Sequence, residues 1–233
     1  MSFRNFILGL IVTFGLPWFL IIVMPFAKMR DVAPVEFDEE KDGITGVYTP
    51  DRAGRTSNGS EVYGANGCYV CHSQVIRPTY AGSDVWRSDW AGQEKNADDK
   101  DTRRETSVFD YQGEKIAHIG ITRNGPDLSN VGYRLEKRAT KEGVTVEELI
   151  YRRMLNPRGE KGYDWSTCPA QPQLFKKKPS HLQTEEAYDF PVGKNGKVVK
   201  MIPGKGARAL ASYLSSLKKD DQVPHTMNYR TPN

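Results

Sequence analysis

Cysteine is scarce in this chain: three residues, Cys68, Cys71 and Cys168, in a length of 233. An odd count in a chain this long excludes a disulfide scaffold, a device of small secreted domains whose cores cannot hold them together alone. Net charge is scarce too. Thirty-three Lys and Arg stand against 29 Asp and Glu, a formal +4. The basic residues are scattered among acidic ones, so no nucleic-acid partner is expected. There is no internal repeat, which excludes solenoids and propellers. No nucleophile–base pair and no second metal cluster stand out, so a self-contained enzyme is not expected. What is present is 38% hydrophobic and 27% charged residues, the balance of a water-soluble domain with a polar surface.

One stretch departs from that balance. From Asn5 to Ala27 there is no charged residue. Twenty-one helical residues of such a run span roughly 31 Å, about one hydrocarbon core. A cleaved signal peptide has a shorter apolar core and a small-x-small cleavage site. This run ends in Pro25-Phe26-Ala27-Lys28, which lacks that site, so an uncleaved anchor is expected over residues 1–28. Pro17 is expected to kink it, a distortion that membrane helices tolerate. Arg4 flanks one end, and Lys28 and Arg30 the other. Charge alone would place the larger part of the chain in the cytoplasm.

Residues 29–58 read as a polar tether, 59–220 as the main domain and 221–233 as a tail. A short helix is expected from Ser60, as N-cap, to Ala65. Residues 81–115 read as a long polar surface insertion anchored by Trp86 and Trp90. Thr145 and Glu148 have the spacing of a capping box. They predict a helix over Val146 to Leu155, stopped by Asn156-Pro157. Ala207, Leu210, Ala211, Leu214 and Leu217 recur at helical spacing and predict a helix over Lys205 to Lys219, with Lys218 and Lys219 favourably placed at its C-terminal end. The one expected strand is Lys197 to Met201, following an Asn195-Gly196 turn.

The densest chemistry is Cys68-Tyr69-Val70-Cys71-His72. Two thiols three positions apart can add to the two vinyl groups of one haem, and the next residue places an imidazole under the iron. A redox dithiol would call for a thioredoxin-like βαβ context. A zinc site would call for a second Cys/His pair at short spacing, and Cys168 and His181 are not paired in that way. One covalent haem c on Cys68, Cys71 and His72 is therefore expected, and such haem is attached on the oxidising side of a membrane, against the charge-based orientation. Downstream stands Gly125-Pro126-Asp127-Leu128. The Pro126 carbonyl is the candidate acceptor for the Nδ1–H of the ligating histidine.

The segment Gly67-Cys68-Tyr69-Val70-Cys71-His72-Ser73-Gln74-Val75-Ile76-Arg77-Pro78 resembles the haem segment of the monohaem cytochrome c subunit (subunit II) of cbb3-type cytochrome c oxidases. So do Arg123-Asn124-Gly125-Pro126-Asp127-Leu128-Ser129-Asn130-Val131-Gly132, Leu155-Asn156-Pro157-Arg158 and the final helix from Ala209 to Leu217. The resemblance implies a mainly α fold: a single N-terminal transmembrane helix and a class I cytochrome c-like helical domain with long loops. It implies a bacterial inner-membrane location with the haem domain on the periplasmic side. The implied role is relaying electrons from a partner cytochrome subunit or soluble cytochrome c to the catalytic membrane subunit, which reduces oxygen. Arg77 and Arg123 are the candidates for pairing with the haem propionates. The nearest other reading is the cytochrome subunit of a nitric oxide reductase, and a more distant one is a haem-based redox or gas sensor.

One departure stands out. Where the family has the methionine that completes iron coordination, this chain has Ser166-Thr167-Cys168-Pro169. Cys168 as thiolate, Met201 before Pro203, a five-coordinate iron, or another ligand such as His118 or His181 are the alternatives for the sixth position. As bland counterparts, Cys168 reads as a small buried thiol, Met201 as an apolar strand residue, and His118, His181 and His225 as surface histidines.

Overall fold

The computed structural model of the chain describes residues 2–30, 36–43, 45–47, 54–95, 98–159, 162–179, 186–192 and 197–224. His181, His225 and the Asn195-Gly196 turn lie outside them, as do parts of the expected tether and most of the tail. The chain divides into two compact units, one over residues 1–48 and the other over residues 49–223.

In the first unit, helix α1 (Phe3–Lys28) is long and apolar enough to cross a membrane, and none of its residues is buried by the rest of the chain. The apolar run leaves it no polar face. The hydroxyl of Thr13 donates to the Gly9 carbonyl at 2.8 Å, which removes a polar group that lipid could not satisfy. At Pro17 the helix continues rather than stopping. Wider π-helical turns at Ile11–Gly15 and Phe19–Val23 flank it, as is common where a ring displaces the regular ladder. A one-turn helix α2 (Glu39–Asp42) follows, capped by Asp38 and closed by Gly43 at φ +71°.

The second unit is mainly helical: α3 (Gly54–Ala65), α4 (Cys68–Cys71), α5 (Val131–Glu142), α6 (Val146–Leu155) and α7 (Lys205–Ser216). Its main core joins Tyr63, Ile150, Leu155, Leu210 and Tyr213, all at 3% exposure or less. Gly59 lets α3 and α7 approach closely. A methyl group there would lie 2.1 Å from the Ala209 carbonyl oxygen.

Several expectations need correction. α3 begins at Gly54, not Ser60. Its polar first turns face solvent while Gly59 and Tyr63 are buried, so Ser60 is a mid-helix residue and residues 54–58 are helical. α6 has the expected bounds, and the Thr145 hydroxyl accepts from Glu148 N–H at 3.1 Å. The return half of that box is missing, because the Glu148 side chain pairs forward with Arg152. The last helix ends at Ser216, so Lys218 and Lys219 are not in its final turn. Lys219 is instead buried beside Glu114 at 3.5 Å.

Among the described residues three strands form, not one: β1 (Phe175–Lys177), β2 (Tyr188–Val192) and β3 (Lys197–Pro203), antiparallel in the order β1-β3-β2. β2 tolerates Pro191 because it is an edge strand. Val85 and Ala91 of the 81–115 insertion form a second buried cluster with Ile76 from the segment before it, and Trp90 packs on it. Trp86 is 69% exposed and does not anchor it.

Candidate functional site

Gly67, at φ +69°, makes the left-handed turn that starts α4, a conformation costly for any residue with a side chain. The single turn places Cys68 and Cys71 on one face, three positions apart. It closes with His72 N–H donating to Cys68 O at 3.0 Å, and at His72 the backbone becomes extended, φ −119°.

A second segment is laid across this turn. Ile121 N–H donates to Tyr69 O (2.9 Å), Thr122 N–H to Val70 O (3.1 Å), Gly125 N–H to Cys71 O (2.9 Å) and Leu128 N–H to Ser73 O (2.8 Å). The result brings His72 Nδ1 to 2.8 Å from Pro126 O. A carbonyl can only accept, so Nδ1–H is the donor in this bond, and Nε2 takes no part in it. Gly125 closes the ring in from the side: a methyl group there would lie 2.1 Å from His72 Cε1 and 2.5 Å from Nδ1. Behind the backbone, Tyr63 donates its hydroxyl to His72 O at 3.3 Å. Gln74, fully buried, accepts from the Tyr213 hydroxyl at 3.0 Å through its side chain.

Cys168 is half-buried, and its N–H donates to the Ser166 hydroxyl at 3.4 Å. Burial first, and then the proximity of Cys168, push the Cys68 thiol up to about 11. Burial, and then Cys71, raise the Cys168 thiol. Met201 stands half-buried in β3, across from Lys177 and Tyr188. His118 is not a surface histidine. It is buried, packs edge-on against Tyr63 with ring centroids 4.9 Å apart, and holds its Nε2 3.0 Å from Ser60 O and Oγ. Burial lowers its pKa.

Arg77 and Arg123 meet at a residue that sequence reasoning missed. Arg77 grips Asp84 through Nε (3.0 Å) and Nη2 (2.9 Å), and Arg123 reaches the same carboxylate through Nη1 at 2.7 Å. The Asp84 carboxylate is 1% exposed. A lone acid in a polar stretch gives no signal of such burial. Gly82 makes room, since a methyl group there would lie 2.8 Å from the Arg77 guanidinium. Burial by itself would raise the Asp84 carboxyl, but the hydrogen bonds from Arg77 and Arg123 outweigh it and hold it down, from 3.8 to about 2. A depressed acid adds stability above its unfolded value and loses it as pH falls through the folded one. Asp84 therefore contributes about 2 kcal/mol that disappears between about pH 4 and pH 2. Acid titration of the unfolding free energy should show this loss in the wild type and a shallower one in Asp84→Asn. Equal slopes would contradict it.

Among the described residues no group of three or more His, Cys, Asp or Glu side chains is placed to hold a metal ion. A haem iron needs no such group, because the porphyrin supplies the equatorial ligands. No protein-family model matches the chain, and no curated protein matches it.

Proposed function

We propose that the chain is a membrane-anchored monohaem cytochrome c, the subunit of a cbb3-type haem–copper oxidase that relays electrons from a cytochrome c donor to the catalytic membrane subunit. The observation that carries this reading is the 2.8 Å approach of His72 Nδ1 to Pro126 O, directly after a turn that presents two thiols on one face. Nothing in a plain redox dithiol asks for a histidine held in that tautomer. The packing of α3 on α7 through Gly59 supports a cytochrome c-like arrangement, in which a helix before the motif crosses the last helix.

The residues fit a covalent haem. Cys68 and Cys71 are the thiols for the two thioether bonds, and His72 offers Nε2 to the iron. When bound, the haem supplies a one-electron ferric/ferrous couple. The protein's part is to hold His72 rigidly, so that little reorganises when charge changes, and to keep its Nδ1 proton on Pro126 O, which makes the imidazole a stronger donor. Arg77 and Arg123, drawn together by Asp84, are the cations available to haem propionates. α1 keeps the domain at the periplasmic face of the inner membrane, close to the catalytic subunit.

Cys168 is the proposed sixth ligand, because it stands where the family that the chain resembles has the methionine that completes iron coordination. An iron bound there would favour the Cys168 thiolate, against the rise that burial causes. The ferric optical and spin-resonance spectra of the haem-loaded chain are expected to lose a thiolate signature in Cys168→Ala and keep it in Met201→Ala. A wild-type spectrum with no thiolate signature, unchanged in Cys168→Ala and altered in Met201→Ala, assigns the position to Met201. The function itself is tested by purifying the intact membrane complex. A copper-containing large subunit is the expected partner. A non-haem iron subunit instead would make the chain part of a nitric oxide reductase.

A further inference from the structure

We propose that Asp127 is a positioning residue for His72: its carboxylate fixes the hydrogen bond from His72 to Pro126 and thereby tunes how strongly the imidazole donates to a bound iron. This inference rests on the haem reading above and concerns a residue that touches neither thiol nor imidazole.

Asp127 is fully buried. A buried carboxylate survives only if hydrogen bonds replace its water. Its donors are the Ser73 hydroxyl (2.7 Å), Val75 N–H (2.9 Å) and Ser129 N–H (2.8 Å), with the Arg123 guanidinium at 3.8 Å. Two of these donors lie on the stretch that begins immediately after His72. Asp127 itself immediately follows Pro126. One carboxylate therefore ties both ends of the His72–Pro126 bond together. The backbone pairs from Gly125 to Cys71 and from Leu128 to Ser73 lie on either side of that bond. With the carboxylate weakened, the two segments lose the side-chain tie that sits beside the His72–Pro126 bond, and the 2.8 Å approach loses that lateral support. A looser hydrogen bond makes the imidazole a poorer donor, stabilises ferric iron less and raises the reduction potential.

Two variants separate positioning from mere burial or mere charge. Asp127→Asn removes the charge at nearly constant shape. Ser73→Ala removes one hydrogen bond and leaves the charge in place. In the haem-loaded full chain, both are expected to raise the reduction potential. Both should also speed solvent exchange of the His72 Nδ1 proton, followed by nuclear magnetic resonance. If only Asp127→Asn moves the potential and neither variant moves the exchange rate, Asp127 acts as a charge and the positioning role is overturned. If both variants lower the melting temperature alone, the role is structural and the proposal also fails. A wild-type chain without haem would overturn the proposed function and this inference together. A haem-loaded wild type with unmoved variants overturns only the inference.

Discussion

Gly125→Ala is expected to dislodge His72. The added methyl group would lie 2.1 Å from His72 Cε1, 2.5 Å from Nδ1 and 2.8 Å from Nε2. Such separations are far inside van der Waals contact, so something must move. The ring cannot turn away without giving up Pro126 O. The Gly125 backbone cannot withdraw without giving up Cys71 O, to which its N–H donates at 2.9 Å. Either movement breaks the geometry that holds Nδ1 protonated. The expected result is a haem-loaded chain with a weakened or displaced histidine, seen as a changed ferrous spectrum and a loss of about 10–100-fold in ligand-dependent function, the range for damage just behind a metal ligand. An unchanged spectrum would mean that Gly125 is not the wall the structure makes it.

Gly59→Ala acts on the fold rather than the site. The methyl group would lie 2.1 Å from the Ala209 carbonyl oxygen and 2.5 Å from Tyr213 Cβ. The first obstacle is backbone, which no rotamer change relieves. Overpacking of this kind costs about 3 kcal/mol, the upper part of its usual range. Alanine returns about 1 kcal/mol through its better helix propensity, leaving a net loss of about 2 kcal/mol. Denaturant unfolding of the chain should show that loss, together with weakened contact between the Tyr63 and Tyr213 rings, whose centroids now lie 5.6 Å apart. A variant as stable as the wild type would show that α3 and α7 are free to separate.

Parts of this architecture are legible in the residues because one local rule decides them. The apolar run of α1 has no alternative reading as a surface helix. Thr145 and Pro157 bracket α6 without help from the rest of the fold. The Cys-x-x-Cys-His spacing and the Gly125-Pro126 pair point to each other across more than fifty residues of chain, and the structure sets His72 against Pro126 at 2.8 Å.

Other parts depend on partners far away in sequence. The start of α3 reads as tether because its first turns are polar, and only packing against α7 makes it helix. β1 is three residues long and β2 contains Pro191, so neither carries a strand signal by itself; β3 supplies the hydrogen bonds for both. Lys219 looks like a helix-end cation and is buried beside Glu114, more than a hundred residues earlier. Asp84 is the sharpest case. Nothing in its neighbourhood marks it, because its burial is created by Arg77 and Arg123 arriving from different segments.

The central claim is that Cys68, Cys71 and His72 hold a covalent haem. Mass spectrometry of the denatured chain purified from its native host tests it directly. The expected mass is higher than that of the polypeptide by one haem, and the increment is lost when Cys68 and Cys71 are both replaced by serine. A denatured wild-type chain at the bare polypeptide mass would contradict it.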